Sequence, residues 1–387
     1  MYDRLLEWPK KTSFLFGPRS TGKSSWIRAT GKDVFLVDLL NTTLSLRFER
    51  SPEDFRELIL GNASPEQWVV VDEVQKNPRL LDEVQNLMEN HGYKKFLLTG
   101  SSARKLRRST ANLLGGRARK LNFFPLTAFE TGFEGTADSR LKTGCLPEPF
   151  LESDQYEQEA FLKGYIENYL IDEIKRETSI RNMAGFQRFL EIAAICSTKP
   201  ISLQNIARDA QISRESVKLY FEVLIDTLIG YELPAFQERI KVKEVATPKF
   251  YFFDSGVVNS AAGYLNEVAP SDWNGVLMET WIGQELRAFL DLNRIKGKLF
   301  YWATPSGTEV DFVWKYGKQL VLIEVKSSRK FRREFLSGIR SFQSSRPGAK
   351  GYVVYLGDEV LQVEGVDVVP AMIFLKWLYD RKTPISI

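Results

Sequence analysis

The sequence predicts an α/β protein in three successive parts: an α/β domain over residues 1–150, a helical segment over 151–255, and a second α/β domain over 256–387. Three observations predict it. Short apolar runs alternate with helical patterns between residues 12 and 133, a helical apolar period of about 3.6 takes over from Gln155 to Asp226, and strand-like runs return after a helical stretch near Gly275. In the first part, TSFLFG, DVFLVDL, WVVVD and KKFLLTG read as strands, with helices over Gly22–Ala29 and Pro78–Asn90. Those runs are apolar throughout rather than alternating, which predicts a mostly parallel sheet covered by helices on both faces. The Gly and Pro residues between Gly144 and Pro149 read as a hinge or lid junction between the first two parts.

In the second part, FLKGYIENYLIDEI, FQRFLEIAAIC, LQNIARDA and ESVKLYFEVLIDTL read as helices. Residues Ile201 to Leu228 form a helix-turn-helix pattern, with Ser213 as the cap of the second helix. That helix is expected to turn Arg214, Ser216, Lys218 and Tyr220 outward, and strands around Arg239–Lys243 and Lys249–Phe253 are expected to form a wing. The third part begins with the helical pattern VLMETWIGQELRAFLDL. The strands KLFYWAT, EVDFVWK and QLVLIEVKSS follow, separated by PSG and YGK turns, then another helix and the strand GYVVYLG.

Composition narrows the function classes. Hydrophobic residues at 43% and charged residues at 26% exclude a disordered or collagen-like chain. Cys145 and Cys196 with a lone His91 cannot build a disulfide framework or a multi-imidazole zinc site. No run of 18 apolar residues occurs and the first residues lack a leader pattern, so the expectation is a cytoplasmic protein without a membrane partner. Lys and Arg number 53 against 49 Asp and Glu, a net charge of +4, too small to argue for a polyanion partner. Two stretches are locally basic: nine cations and no acid from Asn90 to Phe129, and Lys326 to Lys350 with Glu334 as the sole acid.

The strongest motif is Gly17-Pro18-Arg19-Ser20-Thr21-Gly22-Lys23-Ser24, which fits G-x-x-x-x-G-K-[ST] and lies between an expected strand and helix. Its backbone N–H groups are suited to wrap a β-phosphate, with Ser25 on the first helical turn. Lys23 would reach the β and γ oxygens and Ser24 would ligate Mg²⁺, so ATP and Mg²⁺ are the expected ligands. Trp68–Asp72 followed by Glu73 supplies two carboxylates at a strand end, Asp72 for the metal and Glu73 to polarise the attacking water. In FLLTGSS, Thr99 or Ser101 is placed to sense the γ-phosphate. Arg117, after Gly115-Gly116, is suited to transition-state charge, in its own subunit or a neighbour's.

The series GPRSTGKSS, VVVDEVQ, LLTGSSARKL, LLGGRARKLNFFPLTAFE, YIENYLIDEI, PKFYFFDSGVVN, TEVDFVWK and LIEVKSS resembles prokaryotic AAA-type P-loop ATPases that carry a C-terminal nuclease-like domain of unknown function. These are related to the origin-recognition and signal-transducing ATPase clade. The resemblance spans nearly the whole chain. It implies a nucleotide site in the first three motifs, an arginine finger or sensor at Arg117, and a helical lid with a winged helix-turn-helix in the middle.

In the third part, alternation places Glu324 and Lys326 on one face, and a hairpin would bring Asp311 within reach, so that two carboxylates could share Mg²⁺ beside an ammonium. Glu279 or Glu285 on the preceding helix would complete the set. The pattern is similar to the restriction-endonuclease-like fold, in which Glu279 matches the helix glutamate. The expected function is an ATP-hydrolysing switch or motor acting on DNA, with ATP and ADP as ligands and a homo-oligomer or protein partner. The competing expectation is a nucleotide-gated interaction scaffold whose nuclease-like domain does not cleave.

Overall fold

The computed structural model describes residues 2–31, 33–102, 113–170, 180, 182–237 and 246–380. Two compact units divide the chain. One comprises Arg4–Pro125 with Asp226–Ile229, and the other comprises Met1–Asp3, Leu126–Ile225 and Gly230–Ile387.

The first unit is built on five parallel strands, β1 (Ser13–Phe16), β2 (Val34–Asp38), β3 (Trp68–Asp72), β4 (Phe96–Gly100) and β5 (Arg119–Asn122), in the order β2-β3-β4-β1-β5. Parallel neighbours need crossovers, which are α1 (Lys23–Thr30), α2 (Thr42–Arg50), α3 (Glu53–Asn62) and α4 (Leu80–Asn90). Side-chain alternation sends Phe14, Phe16, Val69, Val71, Phe96 and Leu98 to one face, where Phe48, Phe55, Ile59, Val84 and Leu87 of α2–α4 cover them. Leu15, Val70 and Leu97 point to the other, under Trp26 and Ile27 of α1. Burial on both faces is why these runs carry no polar alternation. The sequence reading found β1 to β4; α2, α3 and β5 were not expected.

The second unit opens with helices Ala137–Thr143, Pro147–Leu151, Gln155–Gly164 and Met183–Ile195. Leu203–Ala210 and Arg214–Asp226 follow as two short helices, with Ser213 Oγ accepting from Ser216 N at 3.0 Å at the start of the second. The strand β7 (Lys249–Phe252) pairs antiparallel with β6 (Gly230–Leu233), whereas Arg239–Lys243 lie outside the described residues. Tyr220 corrects an expectation: it is buried, its ring packed against Phe186 and Phe189 with centroids 5.1 and 5.3 Å away. Gly144 corrects another. A Cβ there would stand 2.0 Å from Asp254 Oδ1, and Cys145 N donates to Asp254 Oδ2 at 2.7 Å, so this stretch is a close-packed interior contact and not a hinge.

Helix Trp273–Leu292 leads into a six-stranded sheet. Strands β8 (Lys298–Ala303), β9 (Glu309–Tyr316) and β10 (Gln319–Lys326) pair antiparallel. Strand β10 also pairs parallel with β11 (Lys350–Tyr355), and β11 with β13 (Val366–Pro370), while β12 (Leu361–Val363) closes the edge antiparallel. Among the described residues no helix is long and apolar enough to cross a membrane.

Candidate functional site

Gly17, Asp72, Glu73, Thr99 and Ser101 all lie at the carboxyl edge of the first unit's sheet, because β1, β3 and β4 are parallel and in register. Gly17 must be glycine: a Cβ would sit 2.5 Å from Phe123 O. Pro18 and the side chain of Thr21 are linked by a hydrogen bond from Thr21 Oγ1 to Pro18 O at 2.7 Å, and Arg4 braces the loop from outside by donating to Thr21 O at 2.8 Å and Phe124 O at 2.7 Å. Ser20 and Gly22 take left-handed backbone, φ 60° and 93°, which turns successive peptides inward before α1 begins at Lys23. Lys23 is buried, and its Nζ donates to Gly17 O at 2.6 Å and Pro18 O at 2.8 Å. Ser24 Oγ donates to Asp72 Oδ2 at 3.0 Å, and Thr99 Oγ1 donates to Asp72 Oδ1. Ser25 is half-buried on the first turn of α1.

Glu73 is held in left-handed backbone at φ 61° directly after β3. Its Oε2 accepts from Ser101 Oγ at 3.2 Å and from Gln75 Nε2, and Gln75 Nε2 also reaches Ser101 Oγ at 3.1 Å. Burial raises the Glu73 carboxyl above the usual range and Asp72 adds to the rise, while Lys23 and Arg19 oppose it. A carboxylate shifted upward holds a proton more strongly, as suits a group that polarises water. Thr99 and Ser101, alternatives in the sequence, both have contacts here: the Thr99 hydroxyl donates to the Asp72 carboxylate and accepts from Glu73 N at 3.3 Å, and Ser101 donates to the Glu73 carboxylate. Gln75 was missed, although it stands two residues after Glu73 in the same motif.

Arg117 is placed elsewhere. Arg119 pairs beside Ser13, at the amino end of β1, so Arg117 lies at the edge opposite Gly17, and its guanidinium pairs with Glu89 at the surface.

The second unit holds a separate charged cluster. Asp311 on β9 and Glu324 on β10 are near neighbours across the antiparallel pair, and Asp311 Oδ2 accepts from Val325 N at 2.7 Å. Lys326 Nζ donates to Glu324 Oε1 at 2.6 Å, while the buried Glu324 Oε2 has no hydrogen-bond partner. Glu279 joins the cluster, but Glu285 does not. Its Oε1 accepts from Ala128 N at 2.8 Å and from Trp281 Nε1 at 3.4 Å. Two further residues, not foreseen, complete the cluster: Glu309, and Lys249, whose Nζ lies 3.1 Å from Glu279 Oε1, 3.5 Å from Glu309 Oε2 and 3.9 Å from Asp311 Oδ1. Tyr251 hydroxyl donates to Glu279. Burial lifts Glu279 to about 7 against the pull of Lys249, and raises Glu324 well above the carboxylate range with Asp311 adding to it.

The two metal expectations fare differently on fit. Ser24 and Asp72 offer a hydroxyl and a carboxylate already in contact, the oxygen donors Mg²⁺ prefers. Glu279, Asp311 and Glu324 do not fit as they stand, because the Lys249 ammonium is within ion-pair distance of Glu279 and Asp311 and the Lys326 ammonium takes an oxygen of Glu324. Among the described residues no group of three or more His, Cys, Asp and Glu side chains is arranged to hold a metal ion.

Residues 9–132 match the family model described as an AAA domain. Matches to two domains of unknown function follow, DUF8612 over residues 136–267 and DUF4143 over residues 274–374. An uncharacterized protein of Mycobacterium tuberculosis is 24% identical over 382 residues, covering 93% of this chain and 83% of its own, and one of Mycobacterium bovis gives the same figures. An uncharacterized protein of Methanocaldococcus jannaschii is 23% identical over 355 residues, covering 82% of this chain and 75% of its own. Among solved structures, protein VC1899 from Vibrio cholerae aligns over 96% of this chain and 97% of that chain at 12% identity, with a TM-score of 0.23, too low to bear on the fold.

Proposed function

We propose that the protein is an ATP-hydrolysing switch that acts on DNA. The observation that carries the ATP reading is the contact of Ser24 with Asp72 beside a buried Lys23 and a Glu73 held by Gln75 and Ser101. Backbone N–H groups of residues 19–24 would bind the β-phosphate, and the positive end of α1 adds to that attraction. Lys23 would exchange its loop carbonyls for β and γ oxygens of the nucleotide. Ser24 and Asp72 would hold Mg²⁺, which when bound neutralises charge on the β and γ phosphates. Glu73 orients the attacking water and takes its proton. Arg117 is too far from its own phosphate loop to serve it, so its role in this reading is toward a neighbouring subunit of a homo-oligomer.

DNA as partner is supported by the helix pair Leu203–Ala210 and Arg214–Asp226 with the β6–β7 hairpin after it, read as a winged helix, and by the basic stretch Lys326–Lys350. One observation favours a nucleotide-gated protein scaffold instead: Arg214 and Lys218 share the exposed surface of their helix with Glu215 and Glu222, and Leu219 there is 40% exposed. The two readings separate on duplex DNA titrated at rising salt, with ATP turnover followed in parallel. The DNA reading expects affinity that falls steeply with salt, because phosphate contacts release counterions, and turnover that rises with DNA. Absence of both leaves the scaffold.

A further inference from the structure

We propose that Lys249 is the resident cation of the carboxylate cluster in the second unit, so that the cluster is an internal electrostatic joint closed to divalent metal. Glu279 comes from helix Trp273–Leu292, Glu309 and Asp311 come from β9, and the ammonium that meets all three comes from β7, outside the six-stranded sheet. An ammonium carries three donors and no acceptor, so it suits a set of facing carboxylates: Nζ hydrogen-bonds Glu279 and stands within ion-pair distance of Glu309 and Asp311.

Lys249 is not a surface side chain that has wandered in. It is 1% exposed, and its strand is fixed on both sides: it pairs with Leu233 of β6 and bridges to Pro200, while Thr198 N donates to Phe250 O at 2.8 Å and Ile201 N to Pro248 O at 3.0 Å. Tyr251, two residues on and so on the same face of β7, donates to the same Glu279 carboxylate, and the Tyr301 ring lies 5.2 Å from Nζ.

Two further oxygens of the cluster are also committed. Asp311 Oδ2 is taken by Val325 N and Glu324 Oε1 by Lys326, which leaves Glu324 Oε2 as the buried oxygen without a partner. A divalent ion shared by Glu279 and Asp311 would have to enter the space that Nζ borders, against an ammonium that repels it. Lys249 thereby ties the β6–β7 hairpin to the sheet that carries Asp311 and Glu324.

The test uses the full-length chain without nucleotide, with Mn²⁺ as the probe and bound ion counted by electron paramagnetic resonance. The wild type and Asp311→Asn should bind Mn²⁺ identically, with no ion assignable to the cluster. Lys249→Met, which keeps length and removes charge, should gain one Mn²⁺ per chain, lost again in Lys249→Met with Asp311→Asn. Saturating Mn²⁺ should also raise the melting temperature of Lys249→Met by roughly 5 °C and leave the wild type unmoved. Asp311-dependent Mn²⁺ binding in the wild type would overturn the proposal, and so would a folded Lys249→Met that gains none. Should Lys249→Met not fold, the comparison of wild type with Asp311→Asn decides alone. ATP turnover does not enter these readouts, so failure here is distinct from failure of the ATPase reading.

Discussion

The Glu73 carboxylate draws its two side-chain hydrogen-bond donors from different places in the chain, Gln75 from its own motif and Ser101 from the end of β4. Gln75 is the more telling, since its amide touches both and its Oε1 is buried without a hydrogen-bond partner. Removing it frees Glu73 from the position in which water would be polarised. Gln75→Ala should therefore lower kcat for ATP about tenfold to a hundredfold with nucleotide affinity unchanged, read by steady-state turnover beside a fluorescent-nucleotide titration. Equal loss of affinity would show that Gln75 shapes the pocket instead. At this scale the sequence is readable where chemistry is local: Lys23, Ser24, Asp72 and Glu73 follow from two short motifs. Lys249 does not follow, because an isolated lysine before an aromatic run reads as part of a DNA-facing wing, and only tertiary packing buries it against carboxylates 30 to 62 residues further on.

The helix Trp273–Leu292 shows how one element serves two environments. Glu279 and Glu285 are six residues apart, about 240° around the axis, so they face different neighbours, and spacing alone could not rank them. Glu285 is fully buried and raised to about 7, chiefly by desolvation. Its folded pKa exceeds the unfolded one, so its favourable share of stability is complete below about 4.5 and is lost as pH rises to about 7. Glu285→Gln should flatten that stretch of the stability curve and leave the variant the more stable at pH 8 by on the order of 3 kcal/mol. Denaturant melts at pH 5 and pH 8 measure it, and an unchanged slope would contradict the shift. Elements missed from the sequence share a cause. The helix α2 begins TTLSL, with two β-branched residues and no long apolar stripe, and it is started by Asn41, whose Oδ1 accepts from Thr43 N at 3.0 Å and Leu44 N at 3.2 Å. Strand β5, RKLN, is polar at an edge and becomes a strand by pairing with β1. Central strands such as WVVVD were legible because both faces are buried.

Across the whole molecule, the α/β character of the first and last parts was legible from apolar runs of strand length. The joint that carries Lys249 into the C-terminal cluster was not, since it depends on which strand β7 joins. Arg117 marks a related limit: its motif suits phosphate chemistry, yet the parallel pairing of β5 with β1 puts it at the far edge from Gly17. ATP turnover requires the phosphate loop and Glu73 to work as one site, and the direct measurement is ATP binding and ATP hydrolysis side by side in wild type, Lys23→Ala and Glu73→Gln. Lys23→Ala should lose affinity and turnover together, whereas Glu73→Gln should bind as the wild type does and turn over at least about a hundredfold more slowly. Unchanged hydrolysis in both variants would contradict the assignment.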